Sequence, residues 1–213
     1  SKPFCFISVE YLKEKSIPFK DSVYASLDDL LSNQEKKDFE KLVGMNHSLA
    51  QTVKQCKATI SYPPNGLPML LYGPTGTGKS LIAKLTYEWA RNHGVIAKDG
   101  QFVQVNCSEY ANNPELLTAN LFGHVKGAFT GAEKDNEGLI ALADNGVLFL
   151  DEVHELKAEC QEKLFLFMDQ GIYHRVGDNE KWYKSNVRIV FATTENPDKV
   201  LLKTLMRRIP MTI

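Results

Sequence analysis

The sequence lacks a long apolar run, and this absence argues against a membrane-spanning protein. None of its apolar runs approaches the roughly 20 residues that a transmembrane helix needs. Its start, SKPFCFISVEYLKEK, shows no signal peptide. We therefore expect a cytoplasmic protein without a membrane partner.

Net charge and cysteine are also sparse. The 213 residues carry a net charge of -1, so no overall basic field would attract nucleic acid. The cysteines lie far apart and include no CxxC pair, which favours reduced thiols over a disulfide framework or a zinc site. Cys107 has no partner histidine or aspartate in a recognisable arrangement, so we exclude it as a nucleophile. The four cysteines are Cys5, Cys56, Cys107 and Cys160.

Short apolar runs alternate with helical patterns from residue 69 onward. This alternation predicts an α/β fold with a parallel sheet that is covered by helices on both faces. Ligands of such sheets bind at the carboxyl ends of the strands. The predicted strands are 69–72, 102–105, 147–150 and 187–192, and the predicted helices are 81–92, 114–121, 138–144 and 161–169.

The first part of the chain differs from this pattern. Within residues 1–43, apolar residues at 4–9 predict a short strand, and two capping-box patterns predict short helices. A helical face follows at 49–60, before the alternation begins. We therefore predict a linker or accessory segment at 1–43 and a main domain at 44–213.

The segment GPTGTGKS, residues 73–80, matches the phosphate-binding pattern GxxxxGK[ST] in full. It lies between a predicted strand and a predicted helix, which is the context that the pattern requires. Glycines let backbone N–H groups curl around phosphate oxygens, and the helix directs its positive end to the same place. We therefore predict that this P-loop binds ATP, with Lys79 on the β and γ phosphates and Ser80 on Mg²⁺. The predicted nucleotide-binding residues here are Gly73, Pro74, Thr75, Gly76, Thr77, Gly78, Lys79, Ser80 and Leu81.

The segment GVLFLDE, residues 146–152, is an apolar strand that ends in two acids. Asp151 is expected to emerge at the carboxyl edge of the sheet, level with the P-loop, where it can hold Mg²⁺ directly or through water. Glu152 can orient and deprotonate a water aimed at the γ phosphate. The alternative is that Glu152 is a surface acid beside a metal ligand.

Three further positions each allow two interpretations. Asn106 ends a predicted strand and can hold Glu152 away from the water by a hydrogen bond, although spacing alone favours an ordinary strand-end asparagine. Thr194, or its neighbour Thr193, can sense the γ phosphate or merely end a strand. The pair Arg207-Arg208 is either a solvated face or an arginine finger that reaches the nucleotide of a neighbouring subunit.

The segment FGHVKGAFTGA, residues 122–132, lies between the two nucleotide motifs. Its second half carries no charge and places Phe129 and Thr130 between two glycines. A tight buried turn is one interpretation of such a segment, and a flexible working surface is the other. We name residues 127–132 the GAFTGA loop.

Together, GPTGTGKS, FGHVKGAFTGA and GVLFLDE, in this order and spacing, resemble the AAA+ ATPase domain of bacterial enhancer-binding proteins. These proteins activate RNA polymerase that carries sigma-54, and GAFTGA occurs in the family's loop that touches sigma-54. The resemblance covers about residues 40–213. The stretch YPPNGLPMLLYGPTGTGKS is similar to the subgroup typified by the levanase-operon regulator, in which a helix-turn-helix domain precedes the ATPase and phosphotransferase-system regulatory domains follow it.

The resemblance implies an AAA+ P-loop NTPase with three α/β/α layers. It also implies a ring, typically a hexamer, with ATP between subunits, and DNA binding through a domain absent from this sequence. A second surface loop, at 173–186, would move with the GAFTGA loop. The implied catalytic residues are Glu152, Lys79, Arg208 and Asn106, the implied metal ligands are Ser80 and Asp151, and Thr194 falls at a nucleotide sensor position. The implied contacts to sigma-54 are Gly127, Ala128, Phe129, Thr130, Gly131 and Ala132.

The sequence departs from the family pattern in three places. Val125 stands where a glutamate commonly precedes the lysine at the loop base, which puts a switch through that glutamate in doubt. Leu202 falls near the position of the other family arginine finger and cannot serve as one. The family's helical lid is missing after residue 213, which indicates a fragment.

Two functions therefore follow from the sequence. The first is an ATPase that moves the GAFTGA loop to remodel sigma-54 polymerase for open-complex formation. The second is a nucleotide-gated binding or scaffold module with little or no hydrolysis. A remodeller of another substrate, such as an unfoldase, is disfavoured by the GAFTGA segment.

Overall fold

Five parallel strands form the central sheet in a computed structural model of the chain, which describes residues 48–213 together with Phe39. The strand order is β2-β3-β6-β1-β7, so the strand before the P-loop is flanked on both sides. The predicted elements of residues 1–43 lie outside the described residues, apart from Phe39. The strands are β1 (Met69–Tyr72), β2 (Phe102–Asn106), β3 (Val147–Asp151), β6 (Arg188–Thr193) and β7 (Met211–Thr212), and a separate hairpin contains β4 (Ile172–Tyr173) and β5 (Tyr183–Lys184).

The helices alternate with these strands as predicted. Helices α1 and α2 pack against each other, and α5 packs against α7. Two 3-10 helices, Cys107–Tyr110 and Val153–Glu155, directly follow β2 and the end of β3. The α-helices are α1 (Ala50–Ile60), α2 (Lys79–Asn92), α3 (Pro114–Phe122), α4 (Leu139–Leu142), α5 (Ala158–Gln170), α6 (Pro197–Val200) and α7 (Lys203–Met206).

Helices cover both faces of the sheet, because its strands direct apolar side chains to both faces. On one face, Leu148 and Phe191 are fully buried in a core cluster that includes Leu164 of α5. On the other face, the rings of Phe102 and Phe149 stack with centroids 6.0 Å apart, and Phe102 contacts Tyr87 of α2 at 5.3 Å. The predicted α/β architecture with a sheet between two helical layers is thereby confirmed.

Strand register places the polar strand ends at one edge of the sheet. Asn106 lies opposite Asp151, and Tyr72 lies opposite Thr193. Because all five strands are parallel, the residues that follow them emerge together. Among residues 48–213, no helix is long and apolar enough to cross a bilayer.

The cysteines of the described region are buried and reduced. Cys56, Cys107 and Cys160 have no disulfide partner there. Burial raises the pKa of Cys56 and of Cys160 to about 11, and it raises the pKa of Cys107 as well. A thiol with a raised pKa is protonated at neutral pH and is a poor nucleophile, which supports the exclusion of Cys107 from catalysis.

We expect these three thiols to resist alkylation in the folded protein. In a Cys5→Ser variant at pH 8, they should react about tenfold or more slowly than free cysteine, because little thiolate forms and access is blocked. Labelling with a chromogenic disulfide reagent measures the rate, and denaturation should release three equivalents. Rapid labelling of a native thiol would contradict the burial described here.

Candidate active site

The P-loop joins β1 to α2 at the carboxyl edge of the sheet, as predicted. Its backbone takes left-handed conformations at Gly76 (φ +81°) and Gly78 (φ +90°). A Cβ at either position would meet nothing within 4 Å. Glycine is therefore favoured at both positions by backbone conformation and not by crowding.

Lys79 brings a positive charge against this loop. Its ammonium group donates hydrogen bonds to the carbonyl oxygens of Gly73 at 2.7 Å and Pro74 at 3.1 Å. Lys79 is also the first residue of α2, a helix of 14 residues whose N-terminus faces the loop. Positive charge, the helix end and an open glycine loop together form a cradle that suits a polyphosphate.

Ser80 and Asp151 form a pair that suits a magnesium ion. The Ser80 hydroxyl donates a hydrogen bond to Asp151 Oδ2 at 3.0 Å, across 71 positions of sequence. Hard oxygen donors next to a phosphate cradle match the ligands that Mg²⁺ prefers. Within the described residues, no cluster of three or more histidine, cysteine or acidic side chains offers an alternative metal site.

Glu152 is fixed beside this pair. Its backbone N–H donates to Asp151 Oδ1 at 3.0 Å, and its Oε2 accepts a hydrogen bond from the Thr194 hydroxyl at 2.9 Å. The residue has a left-handed backbone, with φ 51° and ψ 50°, which is costly for any residue other than glycine. The carboxylate is thus held at the carboxyl edge by Thr194, from the end of β6.

The expected hydrogen bond from Asn106 to Glu152 does not occur in this structure. The Asn106 Oδ1 instead accepts from the backbone N–H of Ser108 at 3.2 Å and from its hydroxyl at 2.9 Å. Asn106 therefore caps the 3-10 helix Cys107–Tyr110, because its short side chain satisfies the first free N–H there. The partner of Glu152 is Thr194, for which the sequence suggested a role on the nucleotide.

Sequence reasoning missed His154, which lies in the 3-10 helix Val153–Glu155 beside Glu152. Its Nδ1 is 3.4 Å from Glu152 Oε2. A histidine two positions after the glutamate was visible in the sequence. Its second neighbour, the Thr193 hydroxyl at 3.1 Å, comes from another strand and is visible only after folding.

The GAFTGA loop closes tightly, but its tip is exposed. The N–H of Gly127 donates to the carbonyl of Ala132 at 2.9 Å, and the N–H of Ala132 donates to the carbonyl of Phe129 at 3.0 Å. Ala132 is buried, whereas Phe129 is 38% exposed and Thr130 is exposed. Both loop glycines have left-handed backbones. The loop is therefore a tight turn with an accessible aromatic, and not the buried turn considered above.

Two contacts link this loop and its base to the segment at 173–186. The N–H of Val125 donates to the carbonyl of Val176 at 3.1 Å. A Cβ added to Gly177 would lie 2.7 Å from the Cβ of Ala128, so the two backbones approach closely. That segment is a short hairpin of β4 and β5, which the sequence did not predict.

A family model described as the sigma-54 interaction domain matches residues 42–209. The chain belongs to this family. The resemblance drawn from the three sequence motifs is therefore confirmed, and with it the AAA+ fold class.

Two curated relatives of this sigma-54 interaction domain cover most of the chain. Over 174 residues, the chain is 51% identical to the transcriptional regulatory protein LevR of Bacillus subtilis (strain 168). The matched region makes up 82% of this chain and 19% of LevR. Over 212 residues, the chain is 40% identical to the transcriptional regulatory protein DagR of Salmonella typhimurium. The matched region makes up 97% of this chain and 22% of DagR. The chain thus spans about a fifth of the length of these relatives.

Solved structures of NtrX from Brucella abortus share the fold of this sigma-54 interaction domain. The complex of NtrX with ADP has a TM-score of 0.62 and 26% identity, and covers 87% of this chain and 40% of NtrX. The complex with ATP has a TM-score of 0.61 and 25% identity, with the same shares covered. In NtrX, this fold was therefore solved with ADP and with ATP.

Arg208 of this sigma-54 interaction domain is engaged within its own chain. Its Nε and Nη2 each donate to Asp169 at 2.6 Å, and its guanidinium lies 4.3 Å from the centre of the Phe165 ring. The hydrogen bonds from Arg208 hold the pKa of Asp169 below its ordinary value. A role as a trans-acting arginine, expected from the sequence, would require this pair to open. Arg207 is exposed, and Leu202 caps α7 only through its backbone.

Proposed function

We propose that this domain hydrolyses ATP and uses the GAFTGA loop to remodel sigma-54 RNA polymerase for open-complex formation. One observation carries the proposal: Glu152 is held by Thr194 at the same sheet edge as the Ser80–Asp151 pair. Nucleotide binding alone needs no oriented carboxylate beside a metal pair. A fixed carboxylate there suits the activation of water for attack on a phosphate.

The residues divide the proposed chemistry among them. The P-loop N–H groups and Lys79 orient the phosphates, while Ser80 and Asp151 hold the metal. Glu152 takes a proton from a water molecule. The oxygen of that water bonds to the γ phosphorus, and the bond between this phosphorus and the oxygen of ADP breaks. When bound, Mg²⁺ neutralises charge that develops on the phosphate oxygens.

The loop contacts suggest which surface segments move together. Val125 replaces the glutamate that commonly precedes the lysine at the loop base. Its backbone bond to Val176, and the close approach of Ala128 to Gly177, support joint movement of the loop and the β4–β5 hairpin. A loop performs work only if nucleotide states differ in its position or contacts.

Loss of the exposed tip of the GAFTGA loop should uncouple hydrolysis from output. We expect Phe129→Ala and Thr130→Ala to lower sigma-54-dependent open-complex formation by the intact protein about tenfold, as for an interface hot spot. ATP turnover should stay within about twofold, because neither side chain contacts the nucleotide site. Potassium permanganate footprinting of promoter DNA measures the open complex.

A matched control for these variants is Tyr62→Ala, which removes another exposed aromatic that is 55% accessible and lies just after α1. It should leave open-complex formation unchanged. Full open-complex formation by both loop variants would contradict the proposal that residues 127–132 contact sigma-54 RNA polymerase.

The pairing of Arg208 with Asp169 favours one second candidate, a nucleotide-gated binding module with little or no hydrolysis. With Arg208 occupied and Leu202 at the other finger position, neither of the two family finger positions would supply an arginine to a neighbour's nucleotide. In that case Glu152→Gln would leave the output of the protein intact. Blocked output together with retained ATP binding would favour hydrolysis.

Three properties of the whole protein complete the proposal. Its subunits assemble into a hexameric ring with nucleotide at their interfaces. DNA is bound through another domain, and the protein acts in the cytoplasm. We also propose that residues 1–43 act as a linker or accessory segment and that residues 44–213 form the ATPase domain. A dependence of turnover per subunit on protein concentration would support the ring.

A further inference from the structure

The imidazole of His154 lies between the ends of β3 and β6. Its Nδ1 is 3.1 Å from the Thr193 hydroxyl oxygen and 3.4 Å from Glu152 Oε2. Its side chain is 20% exposed, so it is largely enclosed at this position. Val153 beside it is fully buried and anchors the 3-10 helix that carries it.

The neighbours of Nδ1 indicate which atom carries the hydrogen. The Thr193 hydroxyl oxygen accepts from the N–H of Glu195 at 3.1 Å, and the same hydroxyl donates to the Glu195 carbonyl at 3.4 Å. This oxygen therefore faces His154 as an acceptor, and so does the Glu152 carboxylate. We therefore assign a hydrogen to Nδ1, which satisfies both oxygens; Nε2 faces a further oxygen, Glu155 Oε1, at 3.6 Å.

Two polar groups then lie close to one oxygen of the carboxylate. Thr194 donates to Glu152 Oε2 at 2.9 Å from the end of β6, and His154 Nδ1 lies 3.4 Å from the same atom. No hydrogen bond of the described residues reaches the second oxygen, Oε1. Oε2 is thus the anchored oxygen of the carboxylate, and Oε1 has no protein donor among the described residues.

We propose that His154 is a positioning residue for ATP hydrolysis, which holds Oε2 of Glu152 so that Oε1 accepts the proton of the attacking water. This inference rests on the function proposed above. His154 itself does not touch the nucleotide in this role. Its loss should therefore slow the chemical step without weakening substrate binding.

The test compares three substitutions in the intact protein. His154→Leu removes the donor at Nδ1 and should lower kcat for ATP about tenfold, with KM changed less than about twofold. His154→Asn places an amide N–H near the position of Nδ1 and should restore most of the rate. His154→Gln places its amide near Nε2 instead and should be as slow as His154→Leu, so it replaces the leucine variant if that one does not fold.

A purely structural role would give a different pattern. All three substitutions would then lower the unfolding temperature, and kcat would follow the folded fraction and not the position of the amide. Equal rates of the asparagine and glutamine variants would overturn the positioning role. So would a leucine variant with the kcat of the unmodified protein.

Glu152→Gln separates this inference from the function on which it rests. If the unmodified protein shows no ATP turnover, the proposed hydrolysis itself is wrong, and if Glu152→Gln leaves turnover intact, Glu152 is not the base. If Glu152→Gln abolishes turnover while His154→Leu does not slow it, only the role of His154 is wrong. In the Glu152→Gln background, adding His154→Leu should have no further effect, because the two residues act as one unit.

Discussion

Replacement of Glu152 with glutamine should lower ATP turnover about a hundredfold or more, because a general base contributes on the order of 10² to 10⁴ to a rate. Glutamine keeps the size of the side chain and can still accept from Thr194. It cannot take a proton from water at neutral pH. The P-loop and the Ser80–Asp151 pair remain, so ATP should bind at least as tightly as before. Steady-state phosphate release and equilibrium binding of a fluorescent ATP analogue measure the two effects.

The control for this prediction is Glu162→Gln, an exposed position on α5. It removes one carboxylate from the same subunit and should leave turnover unchanged. Glu152→Gln with undiminished phosphate release would mean that another group activates water. The nucleotide-gated binding module would become the better description of this domain if the unmodified protein itself released no phosphate.

Replacement of Lys79 with alanine should weaken ATP binding about a hundredfold, since hydrogen bonds to charged groups contribute about 1.5 to 3 kcal/mol and each 1.4 kcal/mol is tenfold. In the structure, the ammonium group of Lys79 donates hydrogen bonds to the carbonyl oxygens of Gly73 and Pro74. Phosphate oxygens offer the same donor a stronger, charged acceptor. Isothermal titration with ATP and Mg²⁺ measures the change.

Lys84→Ala serves as the matched control, because Lys84 is exposed on the same helix, α2. It removes an equal charge and should leave affinity within about twofold, since exposed charges are screened by salt. ATP should also raise the unfolding temperature of the Lys84 variant but hardly that of the Lys79 variant. Equal affinities in the two variants would contradict a phosphate role for Lys79.

The sequence could predict the parts of this domain that physical chemistry restricts most strongly. A P-loop requires glycines, a lysine and a hydroxyl at fixed spacing between a strand and a helix, and residues 73–80 satisfy every requirement. An apolar strand such as Val147–Asp151 must be buried, so its terminal acid must emerge at the carboxyl edge. Local pattern and global fold agree at these positions.

Side-chain partners across the fold could not be predicted in the same way. From the sequence, the Asn106 side chain could bond to Glu152 or cap the residues that follow it. It bonds to Ser108 because a 3-10 turn follows the strand. Arg208 pairs with Asp169, 39 positions earlier, because α5 and α7 pack together. Such pairs depend on distances between elements that are remote in sequence, which composition and periodicity do not encode.

The left-handed backbone of Glu152 sets function against stability within a single residue. Any side chain at that conformation raises the free energy of the folded protein by about 1 kcal/mol, which glycine would avoid. Glycine, however, would remove the carboxylate that Thr194 and His154 surround. Selection for thermostability alone would therefore favour glycine at this position and leave the domain inactive. Only selection for ATP turnover retains a glutamate there.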